Sequence, residues 1–341
     1  MEQRISVLMA VDEQYALPLL VTVASLLENL RPGVGLDLYV MGSGLGPGTR
    51  SRLESGWDGR VRLHWTPLDN SKLESLQGYA YPSSPVANFR LLVGSSLSGD
   101  VSKVIYLDAD LLIQRDIFDL WEQDMQGNIV LAVQDSYIQR SYFNSGVIVI
   151  DLDAWRMAKI EQCCLKAARQ LVNRTKWLDQ DALNSCLAGR WGRLAPVWNK
   201  QFSLDVFPDW QCSPYEEKEF LEARSHPAII HFCSRTKPWD TFCDHSLQDV
   251  LAYRAALRRS ALGAGFEARP SLARRTGEFF AAPHRHLLDG IAAAVRAKRR
   301  KHALRMMLPG MLRIAILYPW TLATVPLSVA HERAARWWTQ R

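Results

Sequence analysis

Along the first 150 positions apolar residues fall into short unbroken runs, separated by stretches in which they recur every three or four places. Residues 5–10 form a run of the first kind, residues 11–15 a polar turn, and residues 17–30 a stretch of the second kind. This predicts strand, loop and helix in that order. The same reading gives a strand over 36–41, a loop over 42–48, a helix beginning at 49–55 and a strand over 61–65. Residues 86–98 suit a helix presenting Arg90, and 103–107, 128–133 and 146–151 suit buried strands. Segments 156–172 and 179–188 read as helices. Residues 191–215, rich in Trp, Pro and Asp, read as irregular loop. Strands alternating with helices predict an α/β fold on a mostly parallel central sheet.

The strand at 103–107 ends in Asp108-Ala109-Asp110. Side chains two apart on extended backbone share a face, so the carboxylates can converge, and a hard divalent cation such as Mg²⁺ or Mn²⁺ removes their repulsion. The carboxyl ends of α/β strands are where such folds build sites. Alone, the pattern is shared with acidic loops in which one Asp caps a turn.

The chain has 341 residues and formal charge +6. Residues 266–341 hold 14 Lys/Arg against 4 Asp/Glu, whereas residues 1–265 hold 27 against 31. This predicts two parts, a catalytic domain over 1–265 and a basic, aromatic-rich helical tail over 266–341. The tail sets the run 296–301 before an apolar stretch ending in Tyr318 and Trp320, a composition suited to anionic membrane surfaces. Residues 314–330 carry no charge, but 17 residues containing Pro319 and Pro326 fit an interfacial segment better than a span. The six cysteines show no C-x-x-C pairing and read as reduced thiols. The N-terminus reads as a first strand, not a signal peptide. Together these predict a cytoplasmic protein, peripheral on the inner face of the plasma membrane.

Five further stretches matter in combination with Asp108 and Asp110: Ala10 to Tyr15; Asn88 to Leu92; Tyr142 to Leu152 with Trp155-Arg156; Asp179 to Asn184; and His231 to Trp239. In this order, over about residues 4–245, the set resembles glycosyltransferase family 8, which includes bacterial lipopolysaccharide α-galactosyl- and α-glucosyltransferases and glycogenin-like enzymes. The resemblance implies a Rossmann-like nucleotide-diphospho-sugar transferase fold of GT-A type, a UDP-sugar donor, and Mn²⁺ held by Asp108, Asp110 and His231, with Mg²⁺ as the alternative. Two carboxylates and an imidazole form a mixed O/N set that agrees with Mn²⁺.

The resemblance also assigns the remaining positions. Ala10, Asp12, Gln14 and Tyr15 line a uridine pocket, although Asp12 is equally suited to capping the following helix. Ala109 joins the donor contacts, Asp135, Asn144 and Ser145 face the donor sugar, and Gly146 permits close backbone approach. Asp179 and Gln180 lie by the anomeric carbon, while helix capping fits Asp181. Lys237 and Arg90 supply charge to the diphosphate or sugar; a surface ion pair is the plain alternative for each. Where the family continues with Gly-Pro after the metal histidine, this chain has Ser234-Arg235.

The implied activity is retaining, Mn²⁺-dependent transfer of galactose or glucose from a UDP-hexose to a saccharide or glycolipid acceptor such as lipopolysaccharide core. Hydrolysis of the nucleotide sugar, or binding without turnover, are the rival readings. The expected partners are the donor, the acceptor and an anionic membrane surface, with no nucleic acid.

Overall fold

The computed structural model describes residues 3–67, 69, 72, 85–138, 141–171, 178–234, 236–240, 243 and 245–260. The predicted tail, 266–341, and Arg235 lie outside the described residues. The chain divides into two compact units, and every site residue discussed below belongs to the first, Met1–Asp205 with Ser213–Ala268.

The first unit opens with β1 (Gln3–Asp12), α1 (Ala16–Asn29), β2 (Val34–Ser43), α2 (Pro47–Ser55) and β3 (Val61–Trp65). After a 3-10 helix, Pro85–Leu92, come β4 (Lys103–Leu107), β5 (Leu111–Ile113), β6 (Val130–Gln134) and β7 (Phe143–Asp151). Then follow α3 (Ile160–Leu171), α4 (Leu178–Cys186), β8 (Trp191–Leu194), α5 (Glu217–Ser225), β9 (Ile229–His231) and α6 (Leu247–Arg259).

Seven described strands form one sheet in the order β3-β2-β1-β4-β7-β6-β8, and β5 pairs with β9 apart from it. β1, β2, β3 and β4 run parallel, as do β6 and β8, while β7 is antiparallel to both neighbours. The near-continuous apolar composition of β1 and β4 follows from burial on both faces. After β1 the chain builds β2 and β3 to one side and then returns to place β4 on the other. The crevice beyond the carboxyl ends of β1 and β4 is therefore the topological switch point.

Among the described residues β5 has a strand partner on one edge, β9, and α1 satisfies its other edge. Thr22 Oγ1 lies 2.9 Å from the carbonyl oxygens of Ala109 and Leu111 and accepts from Leu111 N at 3.2 Å. Ser25 Oγ accepts from Ile113 N at 3.1 Å. Two buried hydroxyls of α1, with Asn29 Nδ2 donating to Ile113 O at 3.2 Å, thus complete the backbone bonding of the segment that carries Asp110.

Three expectations are corrected. The helix expected over 86–98 is the 3-10 helix followed by a single α-turn, Val93–Ser96; Phe89, Leu91, Leu92 and Val93 are all buried, a spread that no single α-helical face would give. Residues 191–215 are not wholly irregular, because β8 forms the sheet edge. Its four residues are too few to show alternation, and at Gly192 a Cβ would meet Leu131 Cδ2 at 2.6 Å. The cysteines are not all free. Cys163 of α3 is disulfide-bonded to Cys186 of α4, which removes the cysteine argument for a reducing compartment. Among the described residues no helix is long and apolar enough to cross a membrane.

Candidate functional site

β4 ends at Leu107 and β5 begins at Leu111, so Asp108, Ala109 and Asp110 form the bend between them and not a continuation of either strand. The two carboxylates converge through this bend, where the sequence suggested the pitch of an extended segment. Asp108 N donates to Gly146 O at 2.8 Å, and Phe232 N donates to Asp110 O at 3.0 Å, which pins the bend to β7 and to the chain leaving β9. In the β5·β9 ladder His231 stands opposite Leu111. Its Nε2 consequently lies 3.4 Å from Asp110 Oδ1 and 3.7 Å from Asp108 Oδ2.

One ligand atom from each of Asp108, Asp110 and His231 falls within 4.8 Å of the others. That spacing and this O/N donor set fit a divalent cation. Gly146 makes the fit possible. A Cβ at that position would overlap His231 Cε1 and lie 2.8 Å from Asp108 Oδ2.

Each carboxylate also has a cation. Lys237 Nζ lies 2.7 Å from Asp110 Oδ2 and donates to Phe232 O at 2.7 Å. Burial tends to raise the Asp110 pKa, yet the Lys237 ammonium outweighs it and holds the carboxyl well below the usual range. Burial likewise opposes the charge on Lys237, and Asp110 overrides it, so the lysine pKa is raised.

Arg90 is buried and is no surface ion pair. Its Nη2 donates to Asp108 Oδ1 at 2.7 Å, its Nη1 to Ser145 O at 2.7 Å and to Ser145 Oγ at 2.9 Å, and its Nε lies 3.0 Å from Asp179 Oδ2. The Tyr106 hydroxyl donates to Asp108 Oδ1 at 3.2 Å, and the guanidinium stacks over the Tyr106 ring at 4.8 Å. Arg90 thereby joins the metal-side acid Asp108 to the first turn of α4. Burial pushes Asp179 up to about 6, opposed by Arg90 and aided by the charge of Asp108.

The residues expected to face the donor sugar form one bonded layer. Gln180 Oε1 accepts from Ser145 N at 3.0 Å and its Nε2 donates to Asp135 Oδ2 at 3.2 Å. Asp135 also accepts from Tyr137 N at 3.0 Å, and burial raises its pKa. Asn144 Oδ1 accepts from Gly146 N at 3.1 Å. Asp181 accepts from the Tyr142 hydroxyl at 2.7 Å, which ties the start of α4 to β7.

Beyond the end of β1, Asp12 caps the 3-10 turn Glu13–Tyr15 by accepting from Tyr15 N at 3.1 Å. Ala10 is buried, Gln14 is exposed, and Tyr15 packs edge-on to Trp239 with ring centroids 5.7 Å apart. Lys237 lowers the Tyr15 pKa, but burial and the charges of Asp110, Asp108 and Asp12 raise it on balance. This end of the crevice is thus in electrostatic contact with the acid pair.

Sequence reading missed Thr22, which meets the backbone of Ala109 and Leu111, Tyr106, which meets the side chains of Asp108 and Arg90, and Asn199, which meets the side chains of Asn144 and His231. It also missed a second acid–histidine group, Asp205, His245 and Asp249. That group already holds a cation: Lys200 Nζ lies 2.6 Å from Asp249 Oδ2 and 3.1 Å from Asp205 Oδ1.

The mostly parallel α/β sheet, with an Asp-Asp-His cluster at its switch point, has the GT-A fold. The family model for glycosyl transferase family 8 matches residues 6–243, and the chain belongs to that family. It is 29% identical over 256 residues to general stress protein A of Bacillus subtilis, covering 70% of this chain and 88% of that one. It is 25% identical to the lipopolysaccharide 1,2-glucosyltransferase of Escherichia coli, covering 75% and 78% respectively. The fold is shared with the galactosyltransferase LgtC, solved with donor and acceptor sugar analogues, at a TM-score of 0.64 and 22% identity over 79% of this chain and 99% of that one.

Proposed function

We propose that the protein moves galactose or glucose from a UDP-sugar to a saccharide or glycolipid acceptor, lipopolysaccharide core being the class favoured by the Escherichia coli relative, with retention at the anomeric carbon and dependence on Mn²⁺. The observation that carries this reading is the meeting of Asp108, Asp110 and His231 at the switch point with Lys237 against the same acid pair. Mn²⁺ held by these three side chains, or Mg²⁺ in its place, would neutralise diphosphate charge and so make UDP a better leaving group.

The chain's own residues supply the rest. The Lys237 ammonium, fixed by Asp110 and the Phe232 carbonyl, would stabilise the charge that develops on the departing diphosphate. Arg90 holds Asp108 and Asp179 in register. Gln180, fixed between Ser145 N and Asp135, presents a neutral amide to the sugar without a competing negative charge. Asp135, Asn144 and Ser145 take sugar hydroxyls, Ala109 completes the donor contacts, and Ala10, Asp12, Gln14 and Tyr15 receive the uridine. With no paired nucleophile and base assigned, retention is accounted for by the acceptor hydroxyl bonding to the anomeric carbon on the face from which the bond to UDP phosphate breaks, the departing phosphate taking the hydroxyl proton.

Residues 1–265 form the catalytic domain in this reading, and residues 266–341 bind the anionic cytoplasmic leaflet. Truncation after residue 265 would then release the protein from anionic vesicles and spare UDP binding; unchanged vesicle association rejects the tail's role. For the activity, UDP-galactose and UDP-glucose are incubated with Mn²⁺, with and without lipopolysaccharide core. Transfer is expected only with acceptor present, and Asp110→Asn abolishes it. Hydrolysis alone would identify a nucleotide-sugar hydrolase, and binding without turnover a scaffold.

A further inference from the structure

Asn199 is completely buried and is the last residue of a 3-10 turn, Pro196–Asn199. Its side-chain amide lies between two groups already described. Nδ2 is 2.9 Å from Asn144 Oδ1, and Oδ1 is 3.0 Å from His231 Nδ1. The assignment of these atoms follows from a backbone group that has only one role. Gly146 N–H can only donate, and it donates to the Asn144 side chain, so the Asn144 atom there is the carbonyl oxygen. The same orientation turns the Asn144 amide toward Asp135, which it helps to hold in the charged form. Since Asn144 Oδ1 can only accept, the Asn199 atom beside it is Nδ2. Asn199 Oδ1 therefore faces His231, and His231 Nδ1 must carry a hydrogen.

We propose that Asn199 is a positioning residue that fixes the Nδ1–H tautomer and the ring orientation of His231, leaving the Nε2 lone pair aimed between Asp108 and Asp110. This rests on the metal reading of those three residues. A neutral imidazole has one lone pair, and the hydrogen bond made by the other nitrogen decides where it points. The main chain holds the pair together: Lys200 N donates to Ile229 O at 2.8 Å and His231 N donates to Lys200 O at 3.0 Å, so Asn199 and His231 cannot slip past one another. Asn199 also joins the metal histidine to Asn144, so a displaced amide would disturb the ligand set and the sugar-facing segment of β7 together.

The test uses the full chain and two readouts. In metal-free protein, two-dimensional ¹⁵N NMR of the His231 ring at neutral to alkaline pH is expected to show Nδ1–H in the parent and loss of that tautomer's dominance in Asn199→Ala. Asn199→Asp keeps an oxygen acceptor toward His231 and is expected to retain Nδ1–H, which guards against a folding artefact in the alanine variant. An Nε2–H parent overturns the proposal. In the second readout, electron paramagnetic resonance counts free Mn²⁺ as the ion is titrated in. Asn199→Ala is expected to weaken Mn²⁺ about 10- to 100-fold, and to add little in a His231→Gln background, because its effect passes through that ring. An undiminished loss in the double variant makes Asn199 merely structural and overturns the proposal. If His231→Gln and Asp110→Asn leave Mn²⁺ affinity unchanged, the metal reading fails instead, and the NMR result alone decides the tautomer.

Discussion

Lys237 Nζ lies 2.7 Å from Asp110 Oδ2, although 127 positions separate them in the chain, and both side chains are nearly withdrawn from solvent. The pair joins the end of β4 to the segment after β9. Removing one member of a buried pair leaves an uncompensated charge, at a cost of about 3 kcal/mol or more. Lys237→Met is therefore expected to lower the unfolding midpoint in denaturant without metal. Because Mn²⁺ offers Asp110 another cation, saturating Mn²⁺ is expected to recover part of the loss. An equal deficit with and without Mn²⁺ would contradict the assignment of Asp110 to the metal.

Gly146 has no room for a side chain beside His231 and Asp108. Gly146→Ala is expected to push the ring and the carboxylate apart, with Mn²⁺ affinity falling at least tenfold and stability by about 1–3 kcal/mol from overpacking. Calorimetric metal titration and chemical denaturation check the two effects separately. Gly127, away from the site and in the left-handed region at φ 75°, provides a control: alanine there is expected to lower stability and leave Mn²⁺ affinity intact.

Asp179 titrates near 6 when folded against an ordinary value of 3.8. Between these values the folded chain holds a proton that the unfolded chain has lost, so stability falls as pH rises. The contribution is fully present below about pH 3.8 and lost as pH passes through about 6, amounting to about 3 kcal/mol. Asp179→Asn lacks this dependence. The stability difference between variant and parent in metal-free buffer is expected to move in favour of the variant from pH 4 to pH 7. A constant difference would show that Asp179 ionises normally.

The Cys163–Cys186 bridge fastens α4, which carries Asp179 and Gln180 in its first turn, to α3. Closing a chain segment with a sequence separation of 23 restricts the unfolded ensemble by about 3 kcal/mol on the chain-entropy account. A membrane-permeant dithiol reductant is expected to lower the melting temperature of the parent and leave the Cys163→Ser, Cys186→Ser double variant unmoved. Thiol counting on protein taken directly from cells also tests the proposed cytoplasmic location, since a persistent bridge argues for an oxidising compartment.

The strands β1 and β4 were legible because burial on both faces of a parallel sheet writes itself as unbroken apolar runs, the edge strand β3 because its apolar and polar residues alternate, and α1 because its apolar spacing is local. β8 was not, since an edge strand of four residues has neither length nor alternation. The chemistry-bearing residues Asp108, Asp110, His231 and Lys237 were identifiable from motif order. Their contact was not: it depends on the β5·β9 register and on hydroxyls of α1 that satisfy the backbone of the bend.

Sequence alone determined the α/β class and the family, because residue type and order fix which elements form and what chemistry is available. Tertiary structure decided how those groups are held. Arg90 became a buried brace between Asp108 and Asp179, Cys163 found Cys186, and Asn199 came to face His231. Hydrogen bonds and packing between distant segments depend on distances in space, and those follow from strand register and helix docking, which no local pattern encodes.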